Sequence, residues 1–322
     1  SEWQFSRVIN MNNDSIDNLS NYIDELNKVL KEFLLPNEEI VKIEKTTGGI
    51  ANKVIKITTN QRNSYIFKIY KKLRNQSLPS ELMHFLNNNG INVVEPINNE
   101  PIHFENTECS LFKYIENVPT VVNINLEKYL IKLLKKISEF STKINNDEYY
   151  YKNKCNKEYL LLKEKKEYKL DKSIIESVLK KYDEIKSLDI NNKKEVVHSD
   201  ISTSNLLTSK DGYYLIDFDE VRFFSKLYDL SVILVKFYFN GKLINYDGAR
   251  KFVNLYLKSF NEYTYEDCYN VFVYYVIKQL LEKFSDYEIY GIDLFSKQQQ
   301  QDDFRNWIYY FEILEKIKKI FI

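Results

Sequence analysis

All five prolines of this 322-residue chain (Pro36, Pro79, Pro96, Pro101 and Pro119) fall in its first 119 residues, and residues 120–322 carry none. Proline lacks the amide hydrogen that a helix interior uses, and its ring clashes with the preceding turn. A long proline-free stretch can run as helix after helix, whereas the proline-bearing part favours turns and strand ends. The asymmetry predicts a mixed first part and a mainly helical second part. Glycine is scarce as well, with 7 in the whole chain, far below the ~7% of an ordinary protein. Each glycine is therefore expected where the backbone requires it.

Hydrophobic spacing fills in this outline. Residues 15–34 carry Ile16, Leu19, Ile23, Leu26, Leu30 and Phe33 at helical intervals. Residues 40–46 alternate as a strand, Gly48-Gly49 breaks it, and residues 53–59 read as its partner. A polar turn leads to a third strand at 64–70. A helix is expected near 79–88, with Pro79 near its start and Gly90 as its stop. Residues 91–94 and 109–115 read as two more strands. The first part is thus expected to be a five-stranded antiparallel sheet with one inserted helix. The second part opens with a helix near 124–144. Residues 150–190 read as helical, with the charge run at 163–169 a solvated face. A strand at 213–218 follows the turn dipeptide Asp211-Gly212, and helical patterning resumes from 227 to the end. The fold class is α+β.

Composition excludes several classes. Lys+Arg and Asp+Glu are both 46, so the formal net charge is zero, which argues against a nucleic-acid or membrane-surface partner. Hydrophobic residues make up 44% and charged residues 29%, enough to bury a sizeable core. Cys109, Cys155 and Cys268 are too scattered for a disulfide framework, which suits a cytoplasmic setting. They form no metal-ligand cluster with His84, His103 and His198. The polar N-terminus is no signal peptide, and Met11 marks a candidate start, with residues 1–10 an added leader. No apolar run approaches the ~18 residues of a membrane span. The 26 Tyr and 20 Phe, alongside abundant Asn, Lys and Ile, read as a codon bias toward A and T rather than as an aromatic binding surface.

The residues that carry chemistry lie between 198 and 219. His198, Asp200 and Asn205 are spaced H-x-D-x-x-x-x-N, and Asp217 follows in Ile216-Asp217-Phe218-Asp219. Phosphoryl transfer needs a carboxylate to orient the attacking hydroxyl and accept its proton. It also needs hard oxygen ligands for a divalent metal that bridges the phosphates. Asp200 is the candidate base, and Asn205 and Asp217 are the candidate Mg²⁺ ligands. Upstream, Gly48, Gly49, Ile50, Ala51 and Asn52 lie between the first two strands, where a loop can lay its N–H groups over phosphates. Lys68 sits centrally in the third strand, and Glu81 on the following helix is its candidate ion-pair partner. Lys56 competes for the lysine role, and Lys68 is preferred because the Glu-bearing helix follows it. The bland readings are a hairpin turn at Gly48-Gly49, a first-turn helix acid at Glu81, and a buried loop brace at His198.

With these residues in order, the chain resembles the aminoglycoside phosphotransferase/choline kinase-like family, which has the protein-kinase-like two-lobed fold. The resemblance spans about residues 40–320. It implies an N-terminal lobe over 1–112, a hinge at 113–118 and a helical lobe over 119–322 that holds the catalytic loop and acceptor site. It further implies that Leu111–Glu116 receives adenine on its backbone, so that Phe112, Lys113, Tyr114 and Ile115 join the nucleotide-binding set. Asp229, in Tyr228-Asp229-Leu230, would brace the catalytic loop. Ser199 stands where the family usually has Gly or Asn, Ser204 where it often has Gly, and the phosphate loop has two glycines rather than three. The implied activity is an ATP- or GTP-dependent, Mg²⁺-dependent kinase acting on a hydroxyl of a small molecule.

The acceptor is expected to carry an amine, as an aminoglycoside or amino alcohol does. The acids Glu282, Asp286, Glu288, Asp293, Asp302 and Asp303 would form its wall, and Tyr274, Tyr275 and Tyr287 would offer cation–π contacts. A homoserine-type kinase and a catalytically silent, spore-coat-type structural protein are the alternatives. A protein substrate is disfavoured, because no segment ending in Ala-Pro-Glu follows Asp217.

Overall fold

The computed structural model describes residues 22–46, 52–70, 77–104, 107–144, 154–188 and 195–322. Their contacts divide the chain into two compact units. The first takes in the described parts of Ser1–His84, Asn92–Val118 and Thr208–Tyr214, and the second Phe85–Ile91, Pro119–Leu207 and Leu215–Ile322.

The first unit is built on an antiparallel sheet of β1 (Ile40–Lys45), β2 (Lys53–Thr59), β3 (Ser64–Ile69), β4 (Ile102–Phe104) and β5 (Thr107–Lys113), in the order β1-β2-β3-β5-β4. Side chains alternate across a strand. Ile55 and Ile57 of β2 and Phe67 and Ile69 of β3 therefore share one buried face with Leu111. Helix α1 (Ile23–Leu30) covers that face with Leu26 and Leu30. The chain between α1 and the sheet is pinned by the buried carboxylate of Glu38. It accepts the Leu35 N–H (2.9 Å), the Thr59 hydroxyl (2.6 Å), the Asn63 amide (2.7 Å) and the Tyr65 hydroxyl (2.9 Å).

One expectation needs correction here. Residues 91–94 are not a strand; the fourth strand is Ile102–Phe104. The alternation of Ile91 and Val93 reflects burial, but their neighbouring backbone serves the end of helix α2 (Ser77–Asn88). Gly90 adopts a φ of +72° and donates to Asn87 O, while Ile91 donates back to Leu86 O at 3.0 Å. This helix-ending motif needs the left-handed residue that glycine supplies. The start of the helix read over 15–34 lies outside the described residues.

The second unit is mainly helical. Asn123 caps α3 (Ile124–Ser141) by accepting the N–H groups of Asn125 and Leu126. The 150–190 stretch divides into α4 (Lys154–Glu164) and α5 (Lys172–Ile185). Short strands follow: β6 (Glu195–Val197), β7 (Leu206–Ser209), β8 (Gly212–Leu215) and β9 (Arg222–Phe224), with β6 paired to β9 and β7 to β8. Helix α6 (Leu227–Ile233) widens into a π-helical turn at Leu234–Tyr238, and β10 (Phe239–Asn240) and β11 (Leu243–Ile244) form a small hairpin. That hairpin interrupts the continuous helical pattern expected after 227. Helices α7 (Tyr246–Ser259), α8 (Tyr265–Glu288) and α9 (Gln298–Glu312) complete the unit. Helix α8 begins in a reciprocal Thr264–Asp267 capping box and runs through the core against α4, α5, α6 and α9. None of the described helices is long and apolar enough to cross a membrane.

The tyrosines of α8 are core residues. Tyr274 and Tyr275 are buried; Tyr274 stacks on Phe224, and Tyr275 packs edge-on against Tyr228 and Trp307. They are not surface cation–π platforms. Tyr287 meets Phe295 edge-on and already has the Lys169 ammonium 5.8 Å from its ring.

Candidate active site

The loop that carries the candidate catalytic residues begins where β6 ends. Ser199 holds a φ of +70°, a left-handed backbone that a side-chain-bearing residue adopts only at a cost. What holds it lies thirty residues away. Asp229, in the first turn of α6 and buried, accepts the His198 N–H at 2.9 Å on Oδ2 and the Ser199 N–H at 2.7 Å on Oδ1. Both carboxylate oxygens are thus spent on the backbone of the turn. Burial raises the Asp229 pKa to about 6, while the two N–H donors and nearby Arg222 pull it down. His198 is fully buried, packs edge-on against Phe218 at 4.8 Å and accepts the Asp200 N–H on Nδ1 at 3.4 Å. It braces the loop from inside.

The turn delivers Asp200 beside Asn205. The Asn205 amide nitrogen donates to Asp200 twice, to the backbone oxygen at 3.0 Å and to Oδ2 at 2.7 Å. Asn205 also donates its backbone N–H to Ser202 O, and its carbonyl accepts Ile216 N–H at 3.0 Å. The last bond ties the loop to the residue before Asp217. Asp217 takes a left-handed φ of +62° and leads into a 3₁₀ turn, Phe218–Glu220. Burial raises the Asp200 pKa first, and Asp217 raises it further. Lys236 and the Asn205 hydrogen bond act in the opposite direction.

Asp200, Asn205 and Asp217 are therefore gathered together. Because the Asn205 nitrogen faces Asp200, its Oδ1 is left as an acceptor beside a carboxylate site. One amide oxygen and one carboxylate match what Mg²⁺ takes from a protein when phosphates and water complete its shell. Among the described residues no cluster of three or more His, Cys, Asp or Glu forms a metal site. A single ion held chiefly by a nucleotide needs fewer protein ligands than that.

In the first unit, the strand register places Lys68 opposite Val54 and Lys56 opposite Ile66. Antiparallel partners share a face, so these four lie together on the side of the sheet away from α1, with Ser110 and Phe112 of β5. Lys68 is buried, its ammonium 5.5 Å from the Tyr70 ring, whereas Lys56 is half-buried over the Tyr114 ring at 3.9 Å. Asn52 is buried just before β2. Glu81 is exposed on α2 and makes no hydrogen bond or ion pair among the described residues. The Lys68–Glu81 pair expected from the sequence is not formed, because Leu78, Leu82, Met83 and Leu86 occupy the buried side of that helix. Lys113 closes β5, Tyr114 donates its N–H to Ser64 O at 3.1 Å, and Ile115 lies beyond the sheet. Gly48, Gly49, Ile50 and Ala51 lie outside the described residues.

Most of the acids expected to form an acceptor wall have internal work. Glu288 is buried and accepts the Lys169 and Leu170 N–H groups at 2.8 and 2.7 Å. Glu282 pairs with the buried Lys278 at 2.9 Å. Asp303 takes the Trp307 indole N–H and the Lys283 ammonium. Asp302 accepts from Gln298 and faces Arg305, and Asp293 accepts the Phe295 N–H. Sequence reasoning missed Lys236, whose charge acts on Asp200. No sequence signal marked it, because the π-helical turn at Leu234–Tyr238 sets the direction of its side chain.

A five-stranded sheet with its buried lysine, and a helical unit presenting Asp200, Asn205 and Asp217 on a braced loop, together have the parts of a phosphoryl-transfer enzyme. The model of the phosphotransferase enzyme family APH matches residues 42–256, and the chain belongs to that family. No curated protein matches it. Among solved structures it is similar to spectinomycin phosphotransferase APH(9)-Ia in complex with ADP and spectinomycin. That match has 18% identity and a TM-score of 0.62, over 92% of this chain and 97% of the other. It is also similar to the amicoumacin kinase hAmiN in complex with AMP-PNP and Ca²⁺, at 15% identity and a TM-score of 0.61, over 92% and 95%. A choline kinase from Cryptosporidium parvum Iowa II matches at 14% identity and a TM-score of 0.58, over 92% and 95%. At these identities the likeness establishes the kinase-like fold.

Proposed function

We propose that this chain transfers the γ-phosphoryl group of ATP or GTP, with Mg²⁺, to a hydroxyl of a small molecule. The observation that carries the reading is the braced loop: Asp229 fixes the turn through two backbone N–H groups, and the turn sets Asp200 against Asn205. Asp200 aligns the acceptor hydroxyl and takes its proton. The acceptor oxygen forms a new bond to the γ-phosphorus as the bond to the β-phosphate oxygen breaks, and the nucleoside diphosphate leaves. Asn205 and Asp217 would hold Mg²⁺, which supplies neutralisation of the phosphate charge. Lys68 would hold the α- and β-phosphates, under the loop Gly48, Gly49, Ile50, Ala51 and Asn52. Val54 and Ile66 would flank the base, whose edge would meet the backbone around Phe112, Lys113, Tyr114 and Ile115. Glu81 would reach Lys68 only after a change in its side-chain setting.

The acceptor we favour carries an amine, as the names of several similar structures suggest: spectinomycin, choline and kanamycin. Incubation with Mg·ATP or Mg·GTP and a panel of aminoglycosides, choline, ethanolamine and homoserine, with diphosphate release as the readout, tests the reading. Turnover of one acceptor that collapses in Asp200→Ala is expected. Turnover that persists undiminished in that variant would remove Asp200 from the role of base.

A further inference from the structure

Beside the catalytic loop the second unit opens a cavity of about 610 Å³. Thr203 of the loop forms part of its rim, the π-helical turn contributes Lys236 and Phe237, and the β10–β11 hairpin contributes Asn240 and Leu243. The size suits a small metabolite or a ring of a larger one. Its chemistry is uneven: apolar side chains, a hydroxyl, amides, and one charge. Lys236 is the only charged side chain among the described residues that line the cavity, and no carboxylate lines it. Lys236 is exposed, and so are Thr203, Asn240 and Leu243, the last 75% accessible.

The backbone around Lys236 is unusual as well. The helix that carries the brace Asp229 does not continue as α-helix but widens into a π turn across residues 234–238. Such turns are rare and concentrate at functional sites, because they re-aim side chains that a regular helix would place elsewhere. Here the turn presents Lys236 at the cavity while its charge still reaches Asp200.

We infer that this cavity holds the non-reacting end of the acceptor, and that Lys236 selects an acceptor whose far end carries an anion, a carboxylate being the simplest. This rests on the phosphotransferase reading and refines it, because an acceptor that also bears an amine is then a hydroxylated amino acid or a similar zwitterion rather than a simple amino alcohol. An ammonium over an apolar floor attracts a carboxylate and repels a second ammonium. The neighbouring amide and hydroxyl groups can complete the carboxylate's hydrogen bonds.

Matched acceptors that share a hydroxyl and differ by a carboxylate provide the test: homoserine against 3-aminopropanol, serine against ethanolamine, gluconate against glucitol. With Mg·ATP and diphosphate release as the readout, the carboxylated member of at least one pair should be favoured about tenfold or more in kcat/KM. Lys236→Gln should raise the KM for that member about tenfold and erase the preference. Asn240→Asp, an exposed substitution that adds a carboxylate to the same wall, should lower kcat/KM for the carboxylated member several-fold more than for its partner. Preference for the uncharged or amine-only members in the unmodified protein would overturn the inference. So would a Lys236→Gln variant that lowers kcat equally on both members of a pair with no selective change in KM. Absence of both Mg·ATP-dependent thermal stabilisation and diphosphate release would instead overturn the phosphotransferase reading itself.

Discussion

A buried carboxylate organises backbone in each unit, Glu38 in the first and Asp229 in the second, and the two are tuned in opposite directions. Glu38 in the first unit is penalised by burial, but bonds from Thr59, the Leu35 N–H, Asn63 and Tyr65 outweigh that and hold it below the ordinary glutamate range. Asp229 in the second unit has two backbone donors and deeper burial, and it ends up raised to about 6. The number of donors that converge on a buried carboxylate decides whether it is comfortable as an anion. Glu38 is a satisfied structural anchor. Asp229 is costly to keep charged, and its return is the left-handed turn at Ser199 that aims Asp200.

The candidate catalytic groups differ in the same way. In the second unit Asp200 and Asn205 are already bonded to each other on a braced loop. In the first, Lys68 is buried while Glu81 stands exposed and apart from it.

The sharpest way to break this comparison is at Asp200. Asp200→Ala should lower kcat about a thousandfold, as expected for loss of a positioned base, while the KM for nucleotide stays within about twofold. Steady-state kinetics with an accepted substrate measure both. Lys68→Met should come next, with kcat/KM for nucleotide down about a hundredfold through lost charge stabilisation.

Asp229→Ala should act through the fold. It strands two buried N–H donors, at about 3 kcal/mol in total, so denaturant unfolding should shift and activity should fall with it. Glu38→Ala should destabilise by a similar amount while leaving the KM for acceptor unchanged in the protein that remains folded.

The pH dependence separates the two carboxylates. The folded pKa of Asp229 is raised, so its contribution to stability is complete below about pH 4 and is lost as pH rises through about 6. The folded pKa of Glu38 is lowered, so its contribution is present above about pH 4 and is lost as pH falls through its folded value. The stability of the parent relative to Asp229→Asn, read by denaturant unfolding, should therefore fall from pH 4 to 6. Relative to Glu38→Gln it should fall only in acid. If both differences moved in the same direction with pH, the opposed tuning would be wrong. The smallest effect is expected at Glu81→Gln, at less than about threefold on kcat/KM. A loss as large as that of Lys68→Met would mean that the pair forms in the working enzyme.

Much of the molecule follows from local pattern. Strands β1, β2 and β3 are where period-two alternation places them, and the described part of the proline-free region is mainly helical, with short strands. The spacing of His198, Asp200, Asn205 and Asp217 was legible because a loop between two short strands keeps such groups close whatever surrounds it. The fourth strand was misplaced because Ile91 and Val93 alternate like a strand while their neighbourhood serves the end of α2. The α8 tyrosines carry no sequence mark that separates a core ring from a binding ring; burial against Phe224, Tyr228 and Trp307 settles it.

What the sequence determined by itself is whatever a few neighbouring residues decide: periodicity, turn chemistry, and the loop that bears the candidate acid–base groups. Tertiary structure alone decided which carboxylate holds that loop, which way Glu81 faces, and that a lysine seven residues beyond Asp229 lines a cavity beside Thr203. The physical reason is that burial and electrostatic fields depend on groups brought together from distant parts of the chain. The spacing of residues along one segment does not contain them.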